Sequence, residues 1–208
     1  SPRPDPLTID EFFCGGNFAN VYGDLVSEIT CSEGMTVTSL YGGCNMADIY
    51  GDVVLNLKGG SFTNVFGGSK GDLESLNNSA LNINNHINKA ANIKRFPAEL
   101  PNTTEHPELT GLYDYMVAHG GVTALGGKGG NVTLNLKGGT MTNAFSGSNV
   151  NGNIEGKITV NVIDEGGTCA LQVDTIYGSG QDAWYTPVNL VSGNKPIASP
   201  QVNIKNGT

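Results

Sequence analysis

The chain repeats itself, and the repeat limits the folds open to it more than any other feature. Residues 53–69 read VVLNLKGGSFTNVFGGS and residues 132–148 read VTLNLKGGTMTNAFSGS. They differ only at Val54/Thr133, Ser61/Thr140, Phe62/Met141, Val65/Ala144 and Gly67/Ser146, so 12 of 17 positions are identical. A shorter unit recurs more widely. With Gly51–Leu57 (GDVVLNL) as template, Gly23–Ile29, Gly130–Leu136 and Gly156–Val162 match it, and Asn77–Ile83 and Ala198–Ile204 are weaker copies. Their starts at 23, 51, 77, 130, 156 and 198 give steps of 28, 26, 53, 26 and 42. The unit is therefore about 26 residues, with one gap of two units and one of about one and a half.

Each copy alternates. Val53, Leu55 and Leu57 are apolar while Asp52 and Asn56 are polar. A period of two belongs to a strand with one buried face and excludes an amphipathic helix. A second element follows, in which Lys58-Gly-Gly60 turns into Ser61–Phe66 and Lys137 through Gly147 repeats the order. Aromatic-Gly pairs recur at Tyr22-Gly23, Tyr41-Gly42, Tyr50-Gly51, Phe66-Gly67 and Tyr177-Gly178. Such a unit cannot bury its apolar side alone. Stacking like units at about 4.8 Å pairs each strand with its counterpart and joins the inward side chains into columns. A hairpin meander would not require the same residue at the same place every 26 positions. The expectation is an all-β chain, a single-stranded right-handed parallel β-helix (a solenoid) with coils of about 26 residues and one long insertion. Residues 1–12 read as a linker or cap. Residues 13–208 read as the β-helix, with the insertion at about 84–124 and a second loop at about 178–197.

This register defines two outward columns. One is Asp24, Asp52, Asn78, Asn131, Lys157; the other is Glu28, Asn56, Asn82, Asn135, Asn161, Asn203. The second reads as side-chain amide stacking, with a sugar-binding surface as the rival. Asp24 and Asp52 fall one rung apart and are the candidate metal pair, Ca²⁺ being the cofactor they admit. The structural alternative is that an Asp after Gly supports a corner by its own hydrogen bond.

Composition narrows the partners. Lys and Arg number 11 against 19 Asp and Glu, a net charge of -8. That excludes a phosphate-binding surface for nucleic acid and adhesion to an anionic membrane. Only 14% of residues are charged, too few for the salt-bridged helical surfaces of an ordinary α/β enzyme. No stretch is apolar enough to insert directly into a bilayer. The opening Ser1–Pro6 reads as linker and shows no signal-peptide pattern, as in a mature or trimmed chain. Four cysteines, Cys14, Cys31, Cys44 and Cys169, form no CxxC pair, and their even number with few charges fits an extracytoplasmic protein. Cys14 and Cys44 fall at one corner of adjacent units, where a disulfide and a packed pair of free thiols are both open.

The motifs Gly-Gly-[Ser/Thr]-[Phe/Met]-Thr-Asn-x-Phe-x-Gly and Gly-x-Val-x-Leu-Asn-Leu resemble the Gly-rich β-helix repeats of large secreted or cell-surface bacterial proteins, adhesin-like ones among them. The resemblance covers residues 13–83 and 121–208. It implies a non-catalytic structural or adhesive module, extracellular or on the cell surface, with glycans or other surface proteins as partners. The same architecture serves pectin-lyase-like enzymes, so a polysaccharide lyase or glycoside hydrolase is the alternative. Such an enzyme needs two carboxylates, or an acid with Lys or Arg, meeting along one sheet.

Chemistry would sit where the repeat breaks. Residues 84–124 hold His86, His106 and His119, Lys94-Arg95 and Tyr113-Asp114-Tyr115, with a short helix expected over Leu109–Ala118. The histidines lack metal-ligand spacing. A packed flap and a binding lid are both open, with Tyr113, Tyr115 and His119 as ligand-binding candidates. In 178–197, Trp184-Tyr185 offers either a cap for the solenoid end or a platform for sugar rings.

Overall fold

The computed structural model describes residues 6–31, 34–72, 90–187, 191–192, 195–196 and 200–205. The chain is mostly β, with its long ladders all parallel. In the first ladder Leu25–Ile29 lies beside residues 53–57, these beside 132–136, these beside Ile158–Ile163, and these beside Gln201–Lys205. The registers Leu25↔Val53↔Val132↔Ile158 and Thr159↔Gln201 carry offsets of 28, 79, 26 and 42. These are the steps read from the sequence, with 26 and 53 merged into 79. The second ladder runs Leu7–Phe13, Met35–Tyr41, 61–66, 140–145, Gln172–Tyr177. A third is built of two-residue strands: Val21–Tyr22, Ile49–Tyr50, Ile93–Lys94, Asn153–Ile154, Trp184–Tyr185.

The first two ladders share one sheet because Val53–Phe66 and Val132–Phe145 each run through both. The register slips between Leu57 and Ser61, where Lys58-Gly-Gly60 bends the strand. Gly60 and Gly139 take φ of 95° and 91° there, a conformation that side chains with a Cβ resist.

The alternation buries what it should. Val53, Leu55, Leu57, Val132, Leu134, Leu136, Ile158 and Val160 are fully buried; Leu25, Ile29 and Val162, at the ends of their columns, are half-buried. Leu55, Leu134 and Val160 join Val37, Leu40 and Phe62 in one apolar cluster between the first and second ladders. Val53, Val132 and Ile158 join Ile49, Ile93 and Ile154 in another, against the third. Each such side chain is worth about 1.5–3 kcal/mol relative to exposure.

Two placements depart from the sequence reading. Leu55 lies directly beside Leu134, where the spacing of the sequence copies places Leu81 between them; Asn77–Ile83, with Leu81, and His86 lie outside the described residues. Within 84–124, Ile93–Lys94 is a strand of the third ladder, between Ile49–Tyr50 and Asn153–Ile154. Next come α1 (Thr110–Ala118), one residue shorter than expected, and α2 (Gly121–Leu125), which the sequence did not announce. Leu112 and Met116 of α1 pack with Phe96 against Tyr22, Tyr50, Tyr115, Val122 and Leu125.

Cys14 and Cys44 are free thiols, which leaves the packing alternative at that corner. The disulfide joins Cys31 to Cys169, 138 residues apart with Cα atoms at 5.9 Å. It crosses the bends of the two strands between. A Cβ on Gly59 would meet Cys31 Cα at 2.5 Å and Cys169 Sγ at 3.1 Å, and one on Gly138 would meet Cys169 O at 2.5 Å. The glycines of the repeated Lys-Gly-Gly thus let a clasp pass over them.

Candidate functional site

The outward polar columns are hydrogen-bonded from rung to rung. Asn135 Nδ2 donates to Asn56 Oδ1 at 2.7 Å, Asn161 Nδ2 to Asn135 Oδ1 at 2.7 Å, and Asn203 Nδ2 to Asn161 Oδ1 at 2.8 Å. The two inner amides, Asn135 and Asn161, each spend one donor and one acceptor on their neighbours, which is the stacking reading of this column.

Asp24 and Asp52 support corners. Asp24 Oδ1 accepts the Asp52 N–H at 2.8 Å, and Asp52 Oδ1 accepts the N–H and Nδ2 of Asn131 at 2.9 and 2.8 Å. Asn131 Oδ1 in turn accepts the Lys157 N–H at 2.8 Å. The acceptor serves the next rung's backbone, not its own as the sequence reading supposed. A second column of the same kind had no sequence signal: Asn20 Oδ1 takes the Asp48 N–H, Asp48 Oδ1 the Asn92 N–H, Asn92 Oδ1 the Asn153 N–H, and Asn153 Oδ1 the Thr186 N–H.

One acid and one base meet on the third ladder. Asp48, 3% exposed, places Oδ2 at 2.6 Å from Lys94 Nζ, which lies 5.4 Å from the Tyr50 ring centroid. Burial opposes the Lys94 charge, and the Asp48 carboxylate outweighs it, so the ammonium is held above its ordinary pKa. Next to it the Arg95 N–H donates to Glu155 Oε2 at 2.9 Å.

The ligand-binding candidates separate. Tyr115 and His119 stack with centroids 4.0 Å apart, Phe96 stacks on Tyr115 at 5.8 Å, and Tyr113 is half-buried on α1. Phe96 and Tyr115 pack in one cluster with Tyr22, in the strand that begins the third ladder. Trp184 and Tyr185 form the strand that ends it. Being neighbours on a strand they face opposite ways: Tyr185 packs on the core, and burial raises its phenol pKa, while Trp184 is 72% exposed. Three strand steps separate Trp184 from Tyr50, about 14 Å.

A cleft that the sequence did not single out lies along the second ladder. Its lining is Asn64, Asn143, Phe145, Tyr177, Gly180 and Gln181, around about 480 Å³. Asn143 Nδ2 donates to Asn64 Oδ1 at 3.0 Å. Beside it Phe13, Tyr41, Phe66, Phe145 and Tyr177 stack in a single column, with successive centroids 4.7, 4.9, 4.9 and 4.5 Å apart and ring planes within 7°. The aromatic-before-Gly pattern was the available signal for Tyr177.

No protein-family model matches the chain, and neither curated proteins nor solved structures supply a match.

Proposed function

We propose that the chain is a non-catalytic module of a secreted or cell-surface protein, a single-stranded right-handed parallel β-helix that serves as a stalk or adhesive surface and presents glycan-binding faces. The observation that carries this reading is the fate of the polar columns. Asp24, Asp52 and Asn131 hold up the next rung's backbone, and Asn56, Asn135, Asn161 and Asn203 hold one another. Side chains committed in this way stiffen a stack, and the acids and bases beside them, Glu28 with Lys58 and Glu165 with Lys137, are engaged in ion pairs with each other. The Cys31–Cys169 disulfide supports an oxidising, extracytoplasmic setting.

The rival, a polysaccharide lyase or hydrolase, draws on Asp48 and Lys94, an acid and a base on one sheet. Asp48 Oδ1 already takes the N–H and Nδ2 of Asn92, and Oδ2 takes Lys94, so the carboxylate is fixed within the fold. The deciding experiment assays new reducing ends and unsaturated products over neutral and uronate polysaccharides, with and without Ca²⁺, beside a glycan array. Binding without turnover supports the module. Turnover abolished by Asp48→Asn or Lys94→Met would replace it with the enzyme.

A further inference from the structure

The second ladder differs from the first in what its outward side chains do. Register places Thr36, Ser61 and Thr140 in one column, and Thr38, Thr63 and Thr142 in the next. All six are exposed, and among the described residues their hydroxyls have no partner. Where the asparagines of the first ladder consume one another, these donors and acceptors stay open to solvent.

The array has a floor and a wall. One position further along the strands, Asn64 and Asn143 are half-buried, line the cleft and are linked by a single hydrogen bond that uses neither Asn64 Nδ2 nor Asn143 Oδ1. Then comes the aromatic column. Its last ring, Tyr177, is 44% exposed and fixed by stacking on Phe145 at 4.5 Å. Gln181, anchored by its N–H to Ser148 O at 3.1 Å, completes the lining.

These groups match the chemistry of a sugar. A pyranose ring offers an apolar C–H face to a rigid aromatic ring and a hydroxyl edge to amides and hydroxyls. The rungs repeat at about 4.8 Å, close to the advance per residue of an extended pyranose chain, so successive sugars would meet equivalent Thr and Asn side chains. Charge favours an uncharged polymer. The middle rungs of the strip carry no ionisable group, its outer strands carry Asp10 and Asp174 with Glu11 neutralised by Lys70, and the chain as a whole carries -8. A cleft of this volume falls within the usual range of ligand sites, about 300–1,000 Å³.

We infer that this cleft and the Thr columns beside it bind a linear neutral polysaccharide lying across the rungs, with Tyr177 as stacking platform and Asn143 as a hydroxyl-recognising group. The inference rests on the glycan-binding reading above and gives it a site and a ligand class; the site is not the one containing Trp184. The test is affinity electrophoresis of the full chain in gels holding a β-glucan, a galactomannan, a xylan or polygalacturonate. The variants are Tyr177→Ala, Asn143→Ala, the double variant Thr63→Val/Thr142→Val, which keeps shape and removes hydroxyls, and Trp184→Ala. The expected result is retardation by at least one neutral polymer and none by polygalacturonate. The cleft variants should weaken it about tenfold, as loss of one good contact does, with circular dichroism unchanged and the chain still fully folded at the assay temperature, and Trp184→Ala should stay within about twofold. Retardation unchanged in all three cleft variants, or lost only in Trp184→Ala, overturns this site and leaves the glycan-binding module standing. Preference for polygalacturonate overturns the ligand class. Failure of every polymer to retard the chain removes the glycan reading as a whole and leaves a stalk.

Discussion

Asn135 lies 79 residues after Asn56, yet its side-chain amide donates to the Asn56 carbonyl at 2.7 Å, because the two strands are adjacent rungs in exact register. Asn135 is also acceptor for Asn161, so it is an inner link of the column. Replacing it with Ala leaves Asn56 Oδ1 and Asn161 Nδ2 without that partner. Both are half-buried, so water recovers part of the loss, and the expected cost is about 1–2 kcal/mol. Urea unfolding should show a lower midpoint at unchanged slope.

The disulfide and the glycines beneath it form one device. Cys31→Ser/Cys169→Ser releases a closure over 138 residues, and the chain-entropy account puts the cost at about 4–5 kcal/mol. Gly59→Ala should damage the same device from below, since its Cβ would lie 2.5 Å from Cys31 Cα. Thermal melts with and without reductant check both. Reductant should lower the melting temperature of the natural chain, and leave the double serine variant, already lowered, unmoved.

Asp52 separates the corner role from the Ca²⁺ role. Asp52→Asn keeps the Oδ1 acceptor that takes Asn131, and should stay within about 0.5 kcal/mol of the natural stability. Asp52→Ala removes it and should cost about 1–3 kcal/mol. If Ca²⁺ rather than a hydrogen bond were the purpose, Asp52→Asn would be the damaging change and Ca²⁺ would raise the melting temperature of the natural chain, which it is expected to leave unchanged.

Cys44 gives stability a pH dependence. Burial pushes its thiol up to about 11, against a small lowering from the Gly16 N–H. A raised folded-state pKa contributes stability that is complete below the unfolded thiol's pKa and is lost as pH climbs toward the folded value. Stability should therefore fall between about pH 9 and 11, by up to about 2–3 kcal/mol from this group. Cys44→Ala should flatten that decline, and Cys44 should resist alkylation at pH 8 in the folded chain.

How much of this was legible depends on how each element writes itself into sequence. The first ladder was open to reading because Val53, Leu55 and Leu57 alternate and recur as Val132, Leu134 and Leu136. The third was not, because strands of two residues such as Ile93–Lys94 carry no period. Asn77–Ile83 shows the limit of alternation. It says what a strand would bury, not which segment arrives, and a step of 79 is so near three units of about 26 that arithmetic inserted a rung between Leu55 and Leu134. Cys31 and Cys169 sit in connections outside the repeat, where no register could pair them. Of the site residues, the repeat marked the Asn column, Asp24 and Asp52. Splitting Trp184 from Tyr185 needed to know which face of the strand met the core, and the Asn64–Tyr177 cleft needed three rungs placed side by side.

The stack itself is tested most directly by the distance between Thr8 and Gln172, which stand at the two ends of the second ladder. Both are exposed, so spin labels on Thr8→Cys and Gln172→Cys, in a chain with Cys14 and Cys44 replaced by Ala, can be read by pulsed dipolar spectroscopy. Four parallel steps of about 4.8 Å place the backbones about 19 Å apart, and the account predicts one narrow distribution near that separation once label length is included. A broad distribution, or one centred beyond about 35 Å, which exceeds four strand spacings plus labels, would contradict it.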